Sequence, residues 1–201
     1  MGRNVEALQL ISKLNKIPYT TDLNILTSDV IILAISDDAI APIAQKLKTS
    51  PEQLILHTAG SVSLDVLKQY HNYCGVLYPL QTFSKKRIVD YKTVPLCIEG
   101  TTDKALETIK QLALSLSENI YKISSSERLS VHTAAVFVSN FTNIMYTMGA
   151  KILEENGIDF NILKPLILET AQKVISLHPT EAQTGPALRR DTKTMELHIN
   201  Q

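Results

Sequence analysis

Short apolar runs alternate with amphipathic stretches over the first 123 residues of this chain. The clearest run covers residues 30–35 and is bounded by Ser28-Asp29 and Ser36-Asp37. Its β-branched residues and flanking turn residues predict a central parallel strand that is buried on both faces. Further strands are predicted from the same kind of pattern at residues 54–57, 74–78, 96–99 and 120–123.

Helical periodicity separates these strands and then replaces them. Helices are predicted at residues 5–14, 39–48, 64–67 and 102–116, then at 124–155, at 159–177 and from Pro186 or Asp191 onward. Alternation with short connections predicts parallel strands joined by right-handed crossovers. The fold class is therefore α/β, with a parallel sheet in residues 1–123 and an all-helical domain in residues 124–201.

The composition favours a globular protein in the reducing cytoplasm. The 201 residues carry no formal net charge, and a neutral chain is a poor match for nucleic acid. Membrane binding is not expected either, because no apolar run approaches the roughly 20 residues of a membrane span. Cys74 and Cys97 form no CxxC pair and no two histidines are four apart, so no metal site is predicted.

Polar residues mark two places where chemistry is expected. In open parallel sheets, ligands bind beyond the carboxyl ends of the strands, which are residues 36–38 and 57–61 here. On the long helix, His132 and Asn140 are eight residues apart and share one face, and Asn143 follows on nearly the same face. Such polar groups face either a cleft or a buried network, because unpaired burial is costly. A hydrogen-bonded core histidine is therefore an alternative interpretation of His132.

Five segments together carry a family resemblance. They are residues 33–40, 57–61, 78–84, 132–143 and 183–187. In order, and over nearly the whole chain, they resemble bacterial NADP oxidoreductases of unassigned substrate that join a Rossmann-like domain to a helical domain of unknown function. These are distantly similar to pyrroline-5-carboxylate reductase and to 6-phosphogluconate and hydroxyacid dehydrogenases. The resemblance implies NADP-dependent oxidation or reduction of a small metabolite.

The start of the chain departs from the family pattern, which opens with a strand and a GxGxxG turn. No two of the seven glycines lie two positions apart, and Gly2-Arg3-Asn4 matches the end of the family's second strand. We therefore expect the chain to lack about 25–35 residues, the length of one βαβ opening. An ordinary helix N-terminus capped by Asn4 explains the same residues. We predict weak or no NADP affinity for the 201 residues, and a micromolar Kd would contradict this.

The resemblance also implies cofactor contacts. They are Arg3, Ala34, Ile35, Ser36, Thr58, Ala59 and Gly60. A guanidinium at position 3 would pair with the 2′-phosphate of NADP, unless it is simply a solvated arginine. The residues after both strands also suit plain turns, Gly60 above all.

The predicted catalytic residues follow from a substitution. The dehydrogenase relatives carry a catalytic lysine on the corresponding helix, with an asparagine four residues later. Asn140 matches that asparagine, but Val136 stands at the lysine position and cannot transfer a proton. His132, one turn earlier, is therefore the predicted acid/base, and Asn140 is the second predicted catalytic residue. The predicted substrate contacts are Gln81, Thr82 and Asn143.

Two assignments remain open. The related reductases imply a homodimer formed through the helical domain, in which residues 184–190 reach a cleft or a partner subunit unless they are a simple interhelix turn. A protein of a different class is also consistent with Val136 and with the missing glycine loop. It would bind a nucleotide or metabolite without catalysis, or serve as a helical dimerisation module.

Overall fold

A computed structural model describes residues 2, 4–23, 26–84 and 87–200. Within them, five strands form one sheet in chain order: β1 (Val30–Leu33), β2 (Leu54–His57), β3 (Cys74–Pro79), β4 (Leu96–Gly100) and β5 (Ile120–Lys122). All the predicted strands are present, and their ends along the chain differ from the prediction by at most two residues.

Helices lie between the strands and follow them, as predicted. They are α1 (Val5–Asn15), α2 (Asp37–Lys46), α3 (Asp65–Lys68), α4 (Asp103–Leu114), α5 (Ser125–Ala135), α6 (Thr142–Glu155), α7 (Lys164–Ser176), α8 (Pro179–Ala182) and α9 (Thr192–Asn200). The capping side chains explain several starts. Asn4 and Thr102 each accept a hydrogen bond from the third backbone N–H of their helix, and Ser124 forms a capping box with Glu127.

One strand pair departs from the predicted parallel sheet. The pairs β1–β2, β2–β3 and β4–β5 are parallel, whereas β3 and β4 are antiparallel, from Gly75 opposite Gly100 to Pro79 opposite Leu96. A parallel return requires a crossover, usually a helix. Among the described residues between β3 and β4, the helical structure is one short 3₁₀ turn, Tyr91–Thr93. The chain therefore returns beside β3 in the opposite direction.

The position of β1 was also predicted wrongly. In the described sheet it is an edge strand and not a central one. Ile31 and Leu33 are buried, but Ile32 on the opposite face is 44% exposed. A continuous apolar run shows that a strand can be buried on both faces, and it does not show which neighbours are present.

Two apolar clusters cover the two faces of the sheet. Ile55 packs on one face with Ile40 of α2 and Leu67 of α3. Its neighbours in the strand, Leu54 and Leu56, pack on the other face with α4, through Ala105, Ile109 and Ala113. Successive side chains of a strand point to opposite faces, so helices cover both sides of this sheet, as in doubly wound α/β domains.

The described chain forms two compact units, residues 1–141 and 142–201. The boundary predicted at residue 123 marks the end of the sheet, but α5 belongs with the first unit because Ser125 and Arg128 bind Glu99 of β4. The long helix predicted over residues 124–155 is interrupted by a π-helical segment, Val136–Phe141. None of the helices in the described residues is both long and apolar enough to cross a membrane.

Candidate functional site

The carboxyl ends of three strands meet at one edge of the sheet. Because β1, β2 and β3 run parallel, Ser36 after β1, Gly60 after β2 and Tyr78 near the end of β3 lie along that edge. This is the edge at which open α/β sheets bind ligands, and it confirms the shared location predicted for the loops after β1 and β2.

A hydrogen-bonded pair of ionisable side chains lies at this edge. The hydroxyl of Tyr78 is 3.0 Å from Nδ1 of His132 on α5, and the two rings meet edge to face, with centroids 5.8 Å apart. Gly60 packs directly against both rings, since a Cβ atom built there would lie 2.5 Å from Nδ1 of His132 and 2.8 Å from Cζ of Tyr78. The pair therefore depends on the absence of a side chain at position 60.

The Tyr78–His132 pair opens onto a cleft that collects most of the predicted catalytic and substrate residues. The cleft has a volume of about 560 Å³. His132, Asn140, Gln81 and Thr82 all line it, with Tyr78 at its wall. The amide oxygen of Gln81 accepts a hydrogen bond from the backbone N–H of Thr82, which holds that turn in shape. Asn143 lies elsewhere, in α6 of the 142–201 unit, and its side chain is exposed.

The cleft is lined by uncharged side chains. Among its described lining residues, Tyr78 and His132 are the ones with ionisable side chains. Burial raises the pKa of Tyr78, so its hydroxyl keeps its proton and can donate it in a hydrogen bond. Val136 lines the same cleft and offers no proton, so His132 is the side chain placed to serve as acid or base.

The predicted cofactor residues fall on two adjoining surfaces. Ala34, Ile35 and Ser36 line an apolar groove of about 770 Å³ beside β1. Thr58, Ala59 and Gly60 form the turn after β2, next to the Tyr78–His132 pair. The hydroxyl of Ser61 donates to the Asp37 carboxylate and so links the two loops. Arg3 lies outside the described residues.

These two surfaces differ in the ligand groups that they could accommodate. The small residues and the apolar groove allow close approach of a ring and its ribose. Asp37 and Asp38 occupy the first turn of α2, and their charges disfavour a phosphate at that helix N-terminus. The phosphates of a dinucleotide are therefore disfavoured at this end of α2.

Sequence reasoning did not single out Tyr78 or the π-helical segment. The available signal for Tyr78 was its position at the carboxyl end of a predicted strand, equivalent to Ser36 and Thr58. The π-helical segment carries Asn140 and Ser139 into the wall of the cleft, and such segments occur frequently at functional sites. No group of three or more His, Cys, Asp or Glu residues within the described ranges is arranged to hold a metal ion.

Comparison with known proteins places this chain in a family. The family model described as domain of unknown function DUF2520 matches residues 94–201. A putative NADP oxidoreductase from Bacteroides fragilis, known from its crystal structure, is 38% identical in sequence, with a TM-score of 0.89 over 99% of this chain and 78% of that chain. Among curated proteins, none matches.

More distant structures share the fold alone. A protein from Thermotoga maritima is 19% identical, with a TM-score of 0.80 over 98% of this chain and 79% of its own. A 1-pyrroline-5-carboxylate reductase from Streptococcus pyogenes is 18% identical, with a TM-score of 0.69 over 98% of this chain and 80% of its own. The Rossmann-like sheet followed by helices is therefore common to these proteins.

Proposed function

Because this chain belongs to the DUF2520 family and is related to an NADP oxidoreductase-like protein of Bacteroides fragilis, we propose that it is a nicotinamide-dependent oxidoreductase of the cytoplasm. Its substrate is a small metabolite that exchanges a hydride at carbon and a proton at oxygen or nitrogen. The observation that carries the proposal is the Tyr78–His132 pair, which lies between the predicted cofactor turn and the uncharged cleft.

The residues at the carboxyl ends of the strands would have separate roles in the reaction. The bound dinucleotide supplies or accepts the hydride. Ala34, Ile35 and Ser36 would hold its nicotinamide end, next to the loop that carries Gly60. NADP is favoured over NAD by resemblance to the Bacteroides fragilis protein.

His132 would transfer the proton, and Tyr78 would determine which ring nitrogen of His132 carries it. When Tyr78 donates to Nδ1, the proton of the neutral imidazole resides on Nε2. During reduction Nε2–H would give its proton to the substrate while Nδ1 takes the proton of the Tyr78 hydroxyl, and oxidation would reverse both transfers. Gln81, Thr82 and Asn140 would bind the polar groups of the substrate within the cleft, and the uncharged walls would strengthen those hydrogen bonds.

Binding at the nicotinamide end is tested by titrating NADPH into the ¹⁵N-labelled chain. We expect millimolar affinity, because the sequence holds no glycine-rich phosphate loop, with amide shifts concentrated at Ile35, Ser36 and Gly60. Gly60→Ala should abolish these shifts, whereas Gly149→Ala, in a helix with an ordinary 3.6 Å contact, should preserve them. Saturating NADPH without shifts at this edge would contradict the proposal.

The assignment of His132 is tested by His132→Gln and His132→Ala. The side chain is half-buried, so we expect both variants to keep most of the thermal stability. Both should lose the NADPH-dependent reduction of the substrate. A large fall in Tm in both variants would instead support the interpretation of His132 as a core residue.

A non-catalytic binding protein is the second candidate function, and Val136 favours it. This residue lines the cleft where a proton-transferring lysine would be expected. A wild-type chain that binds NADPH at this edge, and whose NADPH is not oxidised by any small imine or 2-oxo acid, would favour this candidate.

We also propose that a second copy of the chain covers the helical unit. Among described residues 142–200, no side chain is buried. Met145, Met148 and Ile152, which are three and four residues apart on α6, are each more than half exposed. Such spacing places them on one face, and exposed apolar surface of this extent marks an interaction site.

A further inference from the structure

A buried ion pair joins three elements beneath the loop that follows β2. The side chain of Arg128, in α5, is 1% exposed, and Nη1 donates to Oε2 of Glu99 in β4, whose side chain is 19% exposed. Removing one partner of such a pair leaves an uncompensated buried charge. Replacing both partners by apolar residues is often neutral or stabilising, so the ion pair is not explained by stability alone.

The same groups hold the backbone of the loop. Nη2 of Arg128 donates to the carbonyl oxygen of Val62 at 2.6 Å. Ser125 Oγ accepts from the backbone N–H of Leu64 at 2.9 Å, and both its hydroxyl and its backbone N–H donate to Glu99, at 2.8 and 3.0 Å. The first turn of α5, the 62–64 loop and β4 are therefore linked by one hydrogen-bond network.

This network is connected to the Tyr78–His132 pair in two ways, through α5 and through the loop that follows β2. Arg128 is four residues before His132 on α5, so the two lie on one face of the helix. Val62 is two residues after Gly60, which contacts both rings. A shift of α5 relative to the loop would therefore change the 3.0 Å distance between the Tyr78 hydroxyl and Nδ1 of His132.

We propose that Arg128 and Glu99 are positioning residues that hold His132 against Tyr78 and so keep its proton on Nε2. The consequence for catalysis rests on the proposed function, whereas the positioning itself does not. Arg128 also contributes geometry that a lysine cannot, because its planar fork reaches Glu99, Val62 and Ser125 at once.

The test separates positioning from stability by comparing single and double variants. Arg128→Met alone should lower Tm strongly, because it leaves Glu99 without its partner. The double variant Arg128→Met/Glu99→Leu should recover much of that Tm. We nevertheless expect the ¹⁵N shifts of His132 in the double variant to show that the wild-type preference for the Nε2–H tautomer is lost. The tautomer ratio should approach that of Tyr78→Phe, which cannot donate to Nδ1.

Arg128→Lys provides the second arm if the double variant does not fold. It keeps the charge and loses the fork, so the fold should persist while the tautomer ratio shifts at least twofold toward that of Tyr78→Phe. A wild-type tautomer ratio in Arg128→Lys or in a folded double variant would overturn the proposal. Because this readout needs neither cofactor nor substrate, absence of NADPH binding would count against the proposed function and not against the positioning.

Discussion

A methyl group at position 60 would lie 2.5 Å from Nδ1 of His132 and 2.8 Å from Cζ of Tyr78. Either ring must move to admit it, and overpacking of this kind typically costs about 1–3 kcal/mol. We therefore expect Gly60→Ala to lower the free energy of unfolding by that amount and to separate the two rings.

The matched control for Gly60→Ala is Gly149→Ala in α6. The new methyl group would lie 3.6 Å from Cδ1 of Leu163, and alanine favours the interior of a helix by about 0.5–1 kcal/mol. Chemical denaturation should therefore show opposite signs for the two variants. Equal effects would contradict the close packing inferred around Gly60.

His57 gives stability a pH dependence. It is fully buried, and burial, together with the nearby Arg128 charge, lowers its pKa from 6.5 to about 4. Between these values the unfolded chain binds a proton that the folded chain does not, so stability falls as the pH falls from 6.5 to 4. The loss approaches about 3 kcal/mol below pH 4.

Urea unfolding at several pH values measures this contribution. In His57→Gln the loss of stability between pH 6.5 and 4 should be reduced by most of that amount. Exposed His178→Gln is the control and should retain the wild-type dependence. An unchanged slope in His57→Gln would show that other groups cause the acid sensitivity.

Single residues show why the site was only partly predictable. His132 and Asn140 were predicted from their spacing on one helix, and Gln81 and Thr82 from their residue type after a strand; the structure brings all four to one cleft. Tyr78 looks like an ordinary strand residue until β3 is placed beside β2, and its partner lies 54 residues away. The contact of Arg128 with Glu99 is also non-local, because the two residues are 29 positions apart. No sequence pattern relates a strand-end glutamate to a helix arginine.

Elements were predicted more reliably than their arrangement. Caps such as Asn4, Thr102 and Ser124 act within one turn, so local sequence determines where their helices begin. The antiparallel β3–β4 pairing and the edge position of β1 depend on which elements meet in three dimensions. The π-helical segment interrupts a helix whose sequence periodicity continues through it.

The capping box at the start of α5 is expected to stabilise the protein. Ser124 accepts from the backbone N–H of Glu127, and Glu127 accepts from that of Ser124. Ser124→Ala should cost about 1 kcal/mol of stability, measured by thermal or chemical unfolding. Ser130→Ala, at an exposed position inside the same helix, should cost much less, and equal losses would contradict the capping role.

The two compact units differ in how they bury apolar surface. The first has clusters on both faces of its sheet, whereas the described residues of the second bury none of their side chains. If a second copy covers the helices, light scattering should give twice the mass of the 22.3 kDa chain. Met148→Glu/Ile152→Glu should yield monomers, and a wild-type monomer at micromolar concentration would contradict the dimer.

The central claim is that the nicotinamide end of a dinucleotide lies beside Gly60, against the Tyr78–His132 pair. Nuclear Overhauser contacts between NADP⁺ at millimolar concentration and the labelled chain test it directly. The account predicts contacts from the nicotinamide ring protons to the rings of Tyr78 and His132. Contacts there from the adenine protons instead, or no intermolecular contact with either ring at saturation, would contradict it.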